Sequence, residues 1–215
     1  MSKLKFAFKI PVALLLALAL GWASSLSASL GDPAKEVGES ANRVLEMLRE
    51  NSERLKNDET FVYSLVEKEI LPSVDFQGMS RLILARHWRT ASPEQRERFV
   101  QAFTNTMVRA YAGQLAEHAD KRIIVNERRS RVDGERASVA TEIVVGQGRP
   151  NVPVTYSLRI VDDRWKAYDL TVEGLSLVTN FRTTFNSEIE RGGLEDLIQR
   201  LEKGDRDLVR QAVEQ

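Results

Sequence analysis

Acid–base, metal and nucleophile chemistry would have to come from very few side chains in this sequence. Its 215 residues include two histidines, His87 and His118, and no cysteine. The histidines fall on separate predicted helices without metal-ligand spacing, which fits surface or packing roles better than a zinc site. Without cysteine, neither a thiolate metal site nor a disulfide framework forms. No serine stands in a nucleophile elbow, and two histidines leave little room for a Ser-His-Asp triad. No Gly-Lys-Ser/Thr phosphate loop occurs. Gly146-Gln147-Gly148 begins like a dinucleotide fingerprint but runs into Pro150 and a strand, and reads as a hairpin turn. Proton transfer would need a buried acid such as Asp169 beside Tyr168, in an apolar setting that raises its pKa. Arg128-Arg129-Ser130-Arg131 reads as a solvated strand end or as a docking patch for anionic head groups or an acidic partner.

The elements that must position these groups are legible from periodicity. Asp32 caps and Pro33 opens a helix expected over 33–57, with Val37, Ala41, Val44, Leu45, Leu48 and Leu55 on one face. A second helix is expected over 60–71, with Phe61, Leu65, Val66 and Ile70 inward and Pro72 as its stop. A third is expected over 79–88. Ser92-Pro93-Glu94-Gln95 is a capping box that opens the longest helix, whose Phe99, Phe103, Met107, Tyr111 and Leu115 recur every four residues. Alternation then switches to period two. One strand is expected over 123–132, and Asp133-Gly134 signals a hairpin. Ala137, Val139, Thr141, Ile143 and Val145 share a face of the next strand. Val152, Val154, Tyr156, Leu158 and Ile160 share a face of the third, opposite Thr155, Ser157 and Arg159. Asp162-Asp163 turns into a fourth strand over 164–172. Helices over 176–189, 194–201 and 206–213 follow, broken at Gly192-Gly193. Helices, then a four-stranded antiparallel meander, then helices, spell an α+β fold.

The N-terminus sets the expected compartment. Lys3, Lys5 and Lys9 precede an apolar run over 10–20 and the small residues of 23–29, the order of a cleaved secretory signal. The apolar run is too short to span a bilayer, which takes about 20 residues. Residues 1–28 are therefore read as a cleaved signal peptide and 29–215 as one secreted domain with a helical appendage, whose compartment, the periplasm, is what the resemblance described below implies. Removing the leader leaves 28 basic against 31 acidic side chains. A near-neutral surface of mixed sign argues against nucleic acid as a partner.

Two segments carry a family likeness: Asp75-Phe76-Gln77-Gly78-Met79-Ser80-Arg81-Leu82 running on to Phe99, and Trp165-Lys166-Ala167-Tyr168-Asp169-Leu170 running on to Glu173-Gly174-Leu175-Ser176-Leu177-Val178-Thr179-Asn180-Phe181-Arg182. Both resemble the hallmark stretches of the MlaC (toluene-tolerance) family of periplasmic phospholipid-binding proteins. The resemblance covers nearly all of 29–215 and weakens after Gly192. It implies an NTF2-like cone with added helices that holds the acyl tails of a diacyl phospholipid between sheet and helices. It implies as partners an outer-membrane lipoprotein complex and the substrate-binding component of an inner-membrane ABC transporter, in a system that keeps phospholipid out of the outer leaflet. It implies no cofactor and no catalysis.

Periodicity supplies the candidate residues, because a lined cavity and a filled core make the same pattern. Tail-lining candidates are Phe103, Met107 and Tyr111 from the capped helix, Ile143, Val154, Tyr156, Leu158 and Tyr168 from the strands, and Phe181 and Phe185 beyond them. Trp88 and Trp165 serve equally as core pillars. Arg81, Arg86 and Arg182 are candidates for a head-group rim or for partner docking. Two other readings stand beside the carrier: an NTF2-like enzyme, an isomerase or hydrolase using Asp169, and a periplasmic interaction module with a solid core.

Overall fold

The computed structural model describes residues 31–112, 119–146 and 148–213. The expected signal peptide, Leu115 and His118 lie outside the described residues. Among these residues no helix is long and apolar enough to cross a membrane.

Helix α1 (Pro33–Glu50) starts as expected, with the Asp32 carboxylate accepting from the Ala34 N–H at 2.9 Å. It buries Val37, Ala41, Val44, Leu45 and Leu48. The single helix expected over 33–57 is instead split at Asn51, whose Nδ2 donates to the Met47 carbonyl at 2.9 Å, so that a side chain competes with the backbone ladder there. A short α2 (Ser52–Asn57) follows, then α3 (Glu59–Leu65), capped by Asp58. α3 runs on through a π turn (Val66–Ile70) and a 3-10 turn (Leu71–Ser73) to the expected stop at Pro72.

The helix expected over 79–88 is two helices, α4 (Phe76–Leu84) and α5 (Arg86–Thr90), separated by Ala85 at φ 47° and ψ −109°. The Asp75 carboxylate caps α4 by accepting from the Gly78 N–H at 2.8 Å and forms an ion pair with Arg159. The Asp75 N–H donates to the Ala167 carbonyl at 2.8 Å, docking the start of α4 on the sheet edge. Helix α6 (Pro93–Tyr111) has the full capping box: Ser92 Oγ accepts from the Gln95 N–H at 3.1 Å, and Gln95 Oε1 accepts from the Ser92 N–H at 3.2 Å.

Six strands make one antiparallel sheet: β1 (Arg122–Val125), β2 (Arg131–Asp133), β3 (Arg136–Val144), β4 (Val152–Val161), β5 (Arg164–Val172) and β6 (Leu175–Ser176). Their order is β1-β3-β4-β5-β6, with β2 also on β3. The count differs from the expected four in two places. The first expected strand is interrupted by a 3-10 turn (Glu127–Arg129), because Asn126 accepts from the Arg129 N–H and pulls the chain off its pleat. Beyond β5, the Glu173-Gly174 turn adds the two-residue β6. Three two-residue loops connect the hairpins. Asp162 and Asp163 both take positive φ, as do Glu173 and Gly174, matching turns that follow the sheet twist. The β2–β3 loop falls at Gly134-Glu135, one residue later than Asp133-Gly134, since Asp133 still pairs with Arg136.

Helix α7 (Leu177–Glu202) is longer than α6 but bends at Gly193, with φ 85° and ψ 166°, where the break was expected. The Arg98 fork pins α6 to its second half, donating to Glu195 at 2.8 Å and to Glu202 at 2.8 and 2.9 Å. Helix α8 (Arg206–Val213) buries Leu208, Val209, Ala212 and Val213 in the same core.

Gly78 is required by its neighbours. A Cβ there would sit 2.8 Å from Arg159 Cζ and closer still to Asp75, within the cap itself. Gly78→Ala should therefore destabilise the fold by about 1–3 kcal/mol through overpacking, read as a lower midpoint in urea. An unchanged midpoint would show that the Asp75–Arg159 junction yields freely.

Candidate functional site

The candidate site is built on one face of β3, β4 and β5. Register places Val139 opposite Tyr156, Thr141 opposite Val154 and Ile143 opposite Val152. Across the other seam, Val154 lies opposite Val172, Tyr156 opposite Leu170 and Leu158 opposite Ala167. All of these side chains are buried. The strand-derived candidates Ile143, Val154, Tyr156 and Leu158 thus share one continuous apolar surface. Val139, Val152, Ala167, Leu170 and Val172 belong to it as well. Alternation exposes each strand's own inward set, but only the register tells which sets meet.

Two hydroxyls interrupt this surface. Thr141 Oγ1 donates to the Val154 carbonyl at 3.1 Å, and Tyr156 is buried near it. Complete burial pushes the Tyr156 phenol up, with the Thr141 contact opposing it only in part. Thr141 is thus satisfied within the sheet, and the rest of the face is apolar.

Tyr168 is not part of the regular face. The β4–β5 register shifts between Ser157 and Leu158, so Ser157 faces Asp169 while Leu158 faces Ala167, and Tyr168 is the extra residue of a β-bulge. Counting back from Leu170 puts Tyr168 inward and counting forward from Trp165 puts it outward. The bulge accommodates both phases, and Tyr168 ends up half-buried.

The helical candidates divide into two groups. Phe103, Phe181 and Phe185 pack on one another and on Phe99: Phe99 stacks on Phe103 at 5.9 Å between centroids, and Phe103 meets Phe181 edge-on at 5.1 Å and Phe185 at 5.9 Å. Phe76 of α4 joins at 6.3 Å. Rings that contact other rings are a packed aromatic cluster holding α4, α6 and α7 together. Met107 and Tyr111, further along the same α6 stripe, are buried beyond that cluster. Trp165 is a pillar, its Nε1 donating to the Gly31 carbonyl at 3.0 Å. Trp88 is half-buried under the Arg96 guanidinium.

The three rim arginines lie around α4, α5 and α7. Arg81 is exposed on α4. Arg86 pairs with Glu190 at 2.8 Å, and Arg182 Nε donates to the Leu82 carbonyl at 2.8 Å. Sequence gave no sign of these two contacts, which join residues about a hundred positions apart. Arg128, Arg129 and Arg131 are exposed on the 3-10 turn and β2. Two shallow grooves, of about 230 Å³ beside Arg98 and Arg109 and about 360 Å³ beside Ile124 and Glu142, are lined by none of the candidate residues.

Asp169, the one acid considered for catalysis, is engaged at both oxygens. Oδ1 accepts from the Leu170 N–H at 2.8 Å and the Val178 N–H at 3.1 Å, while Oδ2 accepts from Ser176 Oγ at 2.7 Å. Ser176 Oγ in turn accepts from the Thr179 N–H and caps α7. The carboxylate therefore anchors the start of α7 to β5. Gly146 and Gly148 take positive φ in a turn, and His87 accepts from Arg86 Nε at 3.2 Å. Among the described residues, no three His, Cys, Asp or Glu side chains cluster so as to hold a metal ion.

Burial pushes the Asp169 carboxyl above its ordinary range, against the pull of Ser176, Val178 and Leu170. The folded chain then binds this proton more tightly than the unfolded chain. The acid's contribution to stability falls as pH rises from its unfolded value of about 3.9 through the raised folded value. Asp169→Asn keeps the Oδ1 acceptor and removes the titration. Urea titrations from about pH 4 to about pH 7 should show the variant gaining on the parent as pH rises; parallel profiles would contradict this assignment.

Comparison with known proteins places this arrangement. The family described as MlaC protein matches residues 38–203. A toluene tolerance protein of Pseudomonas putida is 29% identical over 169 residues, 78% of each chain. The intermembrane phospholipid transport system binding protein MlaC of Haemophilus influenzae is 20% identical over 77% of this chain and 78% of its own. The solved structure of a phospholipid-binding protein from Ralstonia solanacearum, in complex with a phospholipid, superposes with a TM-score of 0.73 at 26% identity, covering 83% of this chain and 99% of that one. The chain belongs to the MlaC family.

Proposed function

We propose that this protein is a carrier that binds phospholipid by its acyl tails against the inner face of the β3–β5 sheet and moves it through the periplasm. The observation that carries this reading is the likeness, along nearly the full length of the other chain, to a protein solved with a phospholipid bound. The buried, largely apolar face of the sheet supports it.

The physical need is large. Two acyl chains expose on the order of 30 methylenes to water, each costing about 0.8 kcal/mol, a barrier of roughly 20 kcal/mol or more. A soluble protein that replaces water with apolar side chains removes most of it. Such a carrier needs to match a bilayer, not exceed it, so direction must come from its partners. As those partners we propose an outer-membrane lipoprotein complex at one end and the substrate-binding component of an inner-membrane ABC transporter at the other, with outer-membrane lipid asymmetry as the result. The tails lie against Ile143, Val154, Tyr156 and Leu158, with Met107 and Tyr111 across from them. Phe103, Phe181 and Phe185 form the end wall, and Tyr168 borders the site at its bulge. Arg81 is the rim residue best placed for a head group or a partner, being exposed while Arg86 and Arg182 contact other helices.

Native mass spectrometry of protein purified from a Gram-negative periplasm should show a bound diacyl phospholipid. Val154→Arg or Leu158→Arg should cut occupancy at least about tenfold, a cost of about 1.4 kcal/mol or more in binding, with circular dichroism showing a retained fold. Full occupancy in both folded variants would remove this face from the site.

A further inference from the structure

The geometry points to the seam between α4–α5 and α7 as the gate through which lipid enters and leaves, hinged at Ala85 and latched by Arg86–Glu190 and Arg182–Leu82. This inference rests on the carrier reading.

Three observations converge on that seam. Ala85 sits at φ 47° and ψ −109°, a conformation that glycine adopts readily and a Cβ-bearing residue does not. Its neighbours fix both sides of the corner: Ile83 and Leu84 are fully buried before it, and Ala91 is buried after α5. Between them α5 buries no residue at all. It is held by the half-buried Trp88, which packs against the core, and by two polar contacts: Arg86 to Glu190, and Arg96, whose Nε donates to the Trp88 carbonyl at 2.8 Å. A strained corner that carries a segment with one half-buried side chain is where a chain swings at least cost to its core.

The latches are of the kind that opens easily. The Arg86 and Glu190 side chains are each 64% exposed, so water replaces their pairing at little cost. The Arg182 bond to the Leu82 carbonyl is likewise exposed. The other helix attachments are tighter. Helix α6 is fixed to α7 by the Arg98 fork, by the phenylalanine cluster and by Thr106, whose buried hydroxyl lies 2.9 Å from the Leu201 carbonyl. Helix α1 is tied down by Trp165 at its start and, near its end, by Arg49, which donates to the Ala119 and Lys121 carbonyls at 2.8 and 2.7 Å. Directly behind the α4–α7 seam lie Phe76 and Phe181, both packed on Phe103. Swinging α5 outward about Ala85 would therefore lift Trp88 from the core and uncover this end of the apolar interior, while the sheet, α1, α6 and the anchored starts of α4 and α7 stay in place.

The chain has no cysteine, which makes a crosslinking test clean. Arg86→Cys with Glu190→Cys is joined by a short, reductively cleavable bis-maleimide. Release of a pyrene-labelled phosphatidylglycerol from the loaded protein into phosphatidylcholine vesicles is then followed. The crosslinked protein should release lipid at least fivefold more slowly than the same protein singly blocked, and cleaving the linker should restore the rate. Arg86→Ala and Arg182→Ala, which need no crosslink, should each speed release at least threefold. A crosslinked rate within a factor of two of the control, in protein that still loads lipid, overturns the gate and leaves the carrier intact. Failure of the unmodified protein to load lipid overturns both.

Discussion

An antiparallel sheet that keeps one face almost wholly apolar must be covered, and the contacts that hold the cover in place organise the rest of this molecule. Across β3, β4 and β5 the inner positions carry Val, Ile, Leu and Ala, with Tyr156 among them and Thr141 bonded to the Val154 carbonyl. Each buried aliphatic side chain there is worth about 1.5–3 kcal/mol relative to exposure. Helices lying over such a face gain from any apolar neighbour, so burial alone does not select their angle or spacing. Directional contacts at the element ends do so.

Those contacts are few, and they sit at helix starts. Asp75 caps α4, bonds the edge of β5 through its N–H and pairs with Arg159 of β4, so one residue fixes the helix against two strands. Asp169 does the same for α7 through Ser176 and Val178. Both acids lie in the stretches that carry the family likeness, and both engage helix starts through their carboxylate oxygens. The same residues that look chemically capable in isolation are occupied by the backbone they organise. This arrangement suits a protein that holds apolar cargo, because both acids position the walls around the sheet.

How far the sequence disclosed this depends on the range of the interaction. The capping box at Ser92, the α6 stripe, the alternation in β3 and β4 and the break at Gly193 are all local, and each was legible. The split at Asn51, the left-handed corner at Ala85 and the 3-10 interruption at Glu127–Arg129 depend on a single side chain or turn competing with a regular ladder, and periodicity passed over them. The bulge at Tyr168 mattered most for the site. Alternation gives two incompatible phases on either side of it, and only pairing with β4 resolves them. The aromatic stripe showed the reverse ambiguity: Phe103, Phe181 and Phe185 have the spacing of a cavity wall, but they contact one another as a cluster. Contacts such as Arg182 to Leu82 join segments too far apart in the chain for any local pattern to reveal.

The central claim is that acyl chains lie against the inner face of the sheet and not its outer one. Adjacent residues of β4 test it directly, since Tyr156 points inward and Thr155 outward. A photoreactive benzoylphenylalanine is placed at each position in turn, the periplasmic protein is irradiated in cells, and the products are weighed by mass spectrometry. The account predicts phospholipid adducts from position 156 and none from position 155. Equal labelling at both, or none at 156 in folded protein, would contradict it.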